Sequence, residues 1–554
     1  MGGELSNNPN QQEIPMMRLI PFQHDANILY SIQRQDLQNF QNTLKQNNCR
    51  VMRAYRHNIM FVAHESIVAE KVYDYMLRTK AYISIADIDQ RNSRRTTVRQ
   101  LLDTMVEKSK CLLKNLHDCQ WITSFQYEQM KVERFSVRLD YLFFVPDLHE
   151  QQDHITYEPL TISSLSPLMP LSRYLNRLLE PIYYNHIARS TTVYKGADIV
   201  KQLENYQQQG YLKSTTLFVT IHFKDLHTSI KHERLLSTLQ DFLQDYITDE
   251  QRIQGMKIPA ILELTRFILQ NQYFIYKNDI LYRQILGGST GLYIIDLLIN
   301  IYLFYWQRCL IINEGNDYEI FGRCFNDIFL TWNESEEKLQ QLLKLMKIKD
   351  TSLQWDFRVQ THEIHFLDAQ IHYCHRTQHL QTSVYHDWKY EPYILPKLHN
   401  AKSLSHANTL HTALIRAILC CSRLEDFDNE KQYIEYSFLF HKFSSDFIQQ
   451  QMEGFFQLFN ASDFSIYHEQ TMYDELRRRV RQYDQEKTQE TYERLENEQK
   501  QCIWYINSKL KGFSLLKAKQ NPAHFLPTSY LYNSHVSDVI IKVVGVPYYP
   551  SNTI

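Results

Sequence analysis

Residues Leu292 to Ile312 read LYIIDLLINIYLFYWQRCLII, an almost unbroken apolar run. A helix this apolar on every side has to be surrounded, by lipid or by the interior of a large domain. Asp296, Asn300, Gln307 and Arg308 fall inside the run, and a charge within an isolated membrane span is costly. The expectation is therefore a buried helix in a large domain, with no membrane as partner. At 554 residues the chain has the length for two to four structural units and a sizeable core. Its 44% apolar and 13% aromatic content suits a chain that mostly folds, and only 13 Gly and 15 Pro argue against repeats or long flexible linkers.

Charge narrows the partners. The formal net charge is −2 and the pI about 6.9, so the global basic excess that drives tight phosphate binding is absent. A local basic surface is still compatible with these numbers. The nine cysteines are scattered, odd in number and form no C-x-x-C pair, the pattern of reduced thiols in an intracellular compartment. Met1 to Gln12 is polar, with no apolar segment of the signal-peptide kind.

Along the chain, residues 1–25 read as a disordered arm, and about Leu29 to Glu107 as helical with a strand-like interruption at Asn58 to Ala63. Tyr141 to Pro146 is a short strand stopped by its proline. Helices follow at Ser172 to Ile187 and Ala197 to Gln207, and Leu217 to Phe223 is a buried strand. Ile258 to Asn271 is a helix, Tyr273 to Gln284 a hairpin turning at Lys277-Asn278-Asp279, and Gly287 to Gly291 a demanding turn before the long apolar helix. Glu319 to Trp332 is a second hairpin around Asn326-Asp327; Ile364 to Ile371 and Leu380 to Tyr385 are strands. The chain is helical again from Leu404 to Ala461, and Asp474 to Leu510 is one long charged helix before a strand-like Val539 to Val544. The pattern predicts an α+β core flanked by α-rich modules.

Six segments, in order and in register over residues 50–465, resemble the reverse transcriptases of Penelope-like retroelements. They begin with Phe144 to Glu150 and Glu158 to Ser163, where that family has Y-x-L-P-K-x-H-K and R-P-I-V-S. They continue with Ile221-His222-Phe223-Lys224-Asp225-Leu226-His227-Thr228-Ser229-Ile230, similar to F-D-V-x-S-L-Y-T-N-I-P, and with Gln284 to Gly291, similar to Q-x-x-G-x-x-M-G-S. The hairpin Arg323-Cys324-Phe325-Asn326-Asp327-Ile328 resembles R-Y-V-D-D-I, and Phe366 to Ile371 with Thr382 to His386 resemble F-L-D-V-x-I and T-x-V-Y-x-K. The resemblance implies a right-hand polymerase of fingers, palm and thumb, related to telomerase, with α-rich N-terminal and C-terminal extensions. It divides the chain into a 1–25 arm, a 26–135 helical extension, 136–385 fingers and palm, a 386–469 thumb-like region, and 470–554 as charged helix and tail. The family's GIY-YIG nuclease has no counterpart here.

What the resemblance implies about chemistry is altered by substitutions. Nucleotidyl transfer uses two Mg²⁺ ions about 4 Å apart, held by carboxylates and substrate phosphates. His222 stands where the family has one of these aspartates and Asn326 where it has another, leaving Asp327. An imidazole suits Zn, Cu or Ni better than Mg²⁺. Asp147, Glu150 and Glu158 replace phosphate-binding cations. The degenerate catalytic positions are thus His222, Asn326 and Asp327, with Asp327 the only residual metal ligand. No cofactor is expected, or Mg²⁺ where polymerase activity persists. Gln284, Gly287 and Gly291 are the candidate nucleic-acid contacts. The expected partner is RNA or an RNA–DNA duplex, and Leu476, Val480 and Tyr483 of the 470–510 helix offer a face for a protein partner. Arg477-Arg478-Arg479-Val480-Arg481 reads as a salt-bridged face ahead of a nucleic-acid or nuclear-import patch. The histidines from His362 to His379, with Cys374, match no zinc signature. Three functions stay open: an inactive, nucleic-acid-binding scaffold; an RNA-directed DNA polymerase with an altered site; and a protein-interaction module or decaying element copy.

Overall fold

The computed structural model describes residues 38–53, 60–86, 91–147, 155–247, 252–276, 280–312, 319–374, 376, 378–386, 403–461 and 469–510. The 1–25 arm, the 277–279 turn and the 539–544 strand lie outside these residues. Two compact units are present: residues up to Met52 with Met60–Glu70, and the remainder. The first carries a two-stranded sheet of β1 (Cys49–Arg53) and β2 (Met60–His64).

In the second unit the sheet that matters most is antiparallel, ordered β11 (Phe321–Cys324), β12 (Asp327–Trp332), β6 (Leu217–Lys224) and β13 (Gln354–Gln360). β6 is central: Leu217, Phe218 and Val219 are buried in succession, and from Val219 on the buried Ile221 and Phe223 alternate with Thr220, His222 and Lys224. The helix Tyr293–Ile312 packs on the helices Met169–Tyr183 and His232–Tyr246, burying Ile294, Ile295, Leu298, Ile299, Ile301 and Leu303. The expected buried helix is therefore observed, and no helix among the described residues is long and apolar enough to cross a membrane.

A second core joins the helices Ser403–Cys420, Leu424–Phe440, Ser445–Leu458 and the start of Gln470–Leu510 around Leu410, Leu414, Phe427, Phe455 and Tyr473. Leu476 and Val480 are buried in this core. The apolar face read as a protein-docking surface is therefore covered by the chain's own helices. Arg477 donates to Glu204 Oε1 (2.8 Å) and Ile418 O (3.1 Å), and Arg481 also bonds Glu204. Arg478 and Arg479 pair with Glu475. The basic run is thus ion-paired, partly inward, where it closes the 470–510 helix onto the helix Gly196–Gln208.

Three readings of secondary structure need correction. The stretch expected to be helical apart from a strand-like interruption, where β2 lies, also holds β1 and β3 (Tyr82–Ala86) besides the helices Glu65–Thr79 and Arg91–Asp118. β3 is the edge of a five-stranded sheet, β3-β10-β9-β4-β5, formed with β10 (Ile280–Gln284), β9 (Tyr273–Tyr276), β4 (Asp140–Asp147) and β5 (Thr156–Ile162). Its partner β10 lies far downstream, so a local window cannot register the pairing. β3, within the 26–135 segment, thus pairs with a strand well beyond it. Nor does Pro146 end β4: β4 pairs with β9 only at Asp140 and Tyr141, so no ladder on that side loses a donor at the proline. Lastly, the strand read from Ile364 to Ile371 is two, β14 (Glu363–Phe366) and β15 (Ala369–Cys374), folded at Leu367 (φ 53°) and continued by β16 (His379–Val384).

Asp140 opens β4 under the loop that leads into the 169–183 helix. It is 4% exposed and accepts a hydrogen bond from Ser163 Oγ (2.5 Å). Burial pushes its carboxyl up to about 7, opposed by the hydroxyls of Ser163 and Ser166. The folded protein holds this proton more tightly than the unfolded chain does. Its contribution to stability is therefore complete below about pH 4 and is lost as pH rises through about 7. Urea midpoints should fall between about pH 5 and about pH 8, and the fall should shrink in Asp140→Asn.

Candidate functional site

The register of the four-stranded sheet assembles the site. Asp327 at the start of β12 lies directly opposite His222 on β6, which in turn lies opposite Asp356 on β13. Residues opposite one another in antiparallel strands project from the same face, so the three form a row across the sheet. His222 Nδ1 and Asp327 Oδ1 share a hydrogen bond of 2.6 Å, with side chains 20% and 26% exposed. Asp356 forms an ion pair with Lys224. Asp225 ends β6 in the left-handed region (φ 54°), and both its oxygens are held by Arg78.

The turn between β11 and β12 is only Phe325-Asn326, with Phe325 at φ 50°. Phe223 N donates to Asn326 O (2.8 Å), and Asn326 Nδ2 reaches Phe223 O at 3.4 Å. Asn326 is thus tied to the β6 backbone at both ends. The Phe325 ring stacks on His227, their centroids 5.7 Å apart, and His227 Nε2 shares a 2.8 Å hydrogen bond with Asp296 Oδ1. Two histidine–aspartate pairs therefore flank one hairpin turn.

Behind the turn lies Arg323, 1% exposed. Its Nε donates to Gln307 Oε1 (2.9 Å), one terminal nitrogen to Asn300 Oδ1 (2.7 Å) and Phe325 O (3.1 Å), and the other to Tyr183 Oη (2.8 Å). All these acceptors are neutral. A single guanidinium thereby joins the turn, the 293–312 helix and the 169–183 helix.

Gln284, Gly287 and Gly291 take packing positions. Gln284 is 1% exposed, and its Nε2 donates to His227 O (2.6 Å) and Leu286 O (2.8 Å), so both amide protons are engaged inside the protein. Gly287 has φ 63°, and a Cβ there would stand 2.0 Å from His227 O. Gly291 N donates to Thr161 Oγ1 (2.7 Å). The loop closes over the backbone of His227, and the Gln284 side chain is enclosed by protein in this conformation.

Sequence reasoning found His222, Asn326 and Asp327, and the sheet brings them together. It missed Asp356, on a strand not read, and the pairing of Asp296 with His227. Asp296 carried a usable signal: a carboxylate inside a buried apolar helix must have a partner. The donor set does not fit a pair of Mg²⁺ ions. One carboxylate is bonded to an imidazole, another to a lysine, and among the described residues no group of three or more His, Cys, Asp or Glu side chains is placed to hold a metal.

No family model matches the sequence, and no curated protein does so. Solved structures match the fold. Telomerase from Candida albicans, solved in complex with a TWJ fragment of telomeric RNA, aligns over 78% of this chain and 68% of its own length, with 11% identity and a TM-score of 0.50. A C-terminally truncated apo telomerase from Candida tropicalis aligns over 60% of this chain with 7% identity and a TM-score of 0.40. This chain covers 63% of that telomerase, less than two thirds of its length. The RNA-dependent RNA polymerase of a human picobirnavirus aligns over 81% of this chain and 86% of its own, with 10% identity and a TM-score of 0.40. The protein has a reverse-transcriptase-like polymerase fold.

Two substitutions test how the site is held. Arg323→Leu strands the polar groups of Asn300, Gln307 and Tyr183 and should lower unfolding stability by about 3 kcal/mol or more, measured by urea titration. Gly287→Ala forces a side chain into His227 O at a positive φ and should cost about 3 kcal/mol by the same measurement.

Proposed function

We propose that the chain is a catalytically inactive reverse-transcriptase relative, of Penelope-like retroelement origin, that serves as a nucleic-acid-binding scaffold. One observation carries the loss of catalysis. The carboxylate of Asp327 faces an imidazole at 2.6 Å across the strand register, where a metal-dependent polymerase needs a second acid. Asn326 supplies an amide at the adjoining position, so the negative charge that would gather two divalent cations is removed from two of three places. In this reading the β11-β12-β6-β13 sheet is the palm, the five-stranded sheet belongs to the fingers, and the helices from Ser403 to Leu458 form the thumb. No cofactor is used.

The partner we propose is RNA or an RNA–DNA duplex in the cleft of this fold. The Candida albicans telomerase that shares the fold was solved with an RNA fragment, which supports the reading by analogy. An intracellular, nuclear setting fits such a partner. Primer extension on an RNA template, with Mg²⁺ or Mn²⁺, tests the catalytic half. The expected result is no product above that of Asp327→Ala. Extension by the native protein that disappears in Asp327→Ala contradicts the proposal and favours an active polymerase with an altered site. In the double variant His222→Asp with Asn326→Asp, Mn²⁺ binding should appear where the native protein shows none, measured by calorimetry.

A further inference from the structure

A cavity of about 370 Å³ opens between the segment after the helix Ser124–Met130 and the exposed side of the 169–183 helix. Lys131 contributes one wall, and Arg173 and Arg177, one helical turn apart, contribute the other. The helix buries Leu171, Leu175, Leu178 and Leu179 on its opposite side, so these two arginines are held on the solvent face by the packing of the core. Ser136, Ser164 and Ser166 add hydroxyls. Among the described residues, none lining the cavity is acidic.

Composition does not produce such a place by itself. The chain has 60 Lys and Arg against 62 Asp and Glu, so an average patch of surface is balanced. The carboxylates near this one are weak counterweights. Glu128 and Glu133 form ion pairs with Lys131 at 3.7 and 3.9 Å, but both are largely exposed and so screened by water. Asp140 is buried behind Ser163 and Ser166 and drawn towards its neutral form. Arg173 lies 5.8 Å from the centre of the Tyr293 ring, which orients the guanidinium and adds no negative charge.

A second feature stands beside the cavity. Phe135 is fully exposed (102%) at the middle of the turn Arg134–Ser136, immediately before the cavity residue Ser136. The turn is anchored by an ion pair between Arg134 and Asp103 and by Ser136 Oγ donating to Glu133 O (2.8 Å). A phenylalanine ring presented to water on a pinned turn is a stacking surface for a nucleobase. Leu165 on the loop lining the cavity is also exposed (48%).

We propose that this surface binds single-stranded nucleic acid, with a backbone phosphate among Lys131, Arg173 and Arg177 and a base stacked on Phe135. The cations supply charge complementarity, and the aromatic ring distinguishes a strand from a free anion. A duplex fits less well, because its paired and stacked bases offer no open face for the ring. The site is separate from the His222–Asp327 row and does not depend on what that row does. It would give a chain with no global basic excess a local means of holding a strand.

Fluorescence anisotropy of the full chain with a labelled single-stranded RNA of about 12 nucleotides tests the assignment. Arg173→Glu with Arg177→Glu should weaken binding more than tenfold and lower the log–log salt slope by about 1.4. Phe135→Ala should weaken it about tenfold, and Arg173→Lys with Arg177→Lys should largely preserve it. These side chains are exposed, and thermal melts confirm that each variant folds. Native-like binding by the charge-reversed protein overturns the proposal, as does an absence of measurable binding by the native chain. Displacement of the RNA by millimolar pyrophosphate with no effect of Phe135→Ala overturns it in favour of a free-anion site. Loss of binding only in His222 or Asp327 variants places the RNA in the cleft, sinking this assignment while sparing the previous one.

Discussion

A buried guanidinium decides where the β11–β12 turn can sit. Arg323 holds the Phe325 carbonyl, two amides of the 293–312 helix and the hydroxyl of Tyr183, all without a carboxylate. A cation removed from water survives only if its donors are satisfied, and here several neutral dipoles share the task. The consequence is geometric. The turn cannot move relative to the long apolar helix without leaving charge or amides unbonded in the interior. The polar residues that interrupt that helix, Asn300 and Gln307, are its receptors for the arginine, and Asp296 is its receptor for His227. The helix is apolar enough to be core and polar at the few places where the neighbouring turn must be fixed.

With the scaffold so fixed, histidine at 222 and asparagine at 326 are accommodated without disturbing the sheet. The strands keep their register, and Asp327 remains opposite position 222. A hydrogen bond between imidazole and carboxylate joins the two positions. Two acids at that spacing repel each other unless a cation sits between them. A histidine and an acid attract, so the observed pair is stable with nothing added. In the proposed reading, this internal bond stands where a polymerase site would need metal.

Much of this was legible from the residues. Leu217 to Phe223, the hairpin at Asn326-Asp327, the long apolar helix and the helices from Ser403 onward are strong local patterns, and each is present. What local pattern could not show was long-range partnership. β3 looks helical by its surroundings and becomes a strand only because β10 arrives beside it. Asp356 has meaning only through the β13–β6 register. Gln284 resembles a ligand contact by position, and the backbone of His227 takes its amide instead. Leu476 and Val480 were apolar for a partner that proved to be the chain's own helical core.

The account turns on whether the sheet beneath His222 can gather paired divalent cations. Electron paramagnetic resonance of Mn²⁺ titrated into the native protein measures this without requiring turnover. The expected spectrum is that of free Mn²⁺, unchanged by Asp327→Ala. Two bound ions per chain with the signature of spin coupling, abolished by that substitution, would contradict the account.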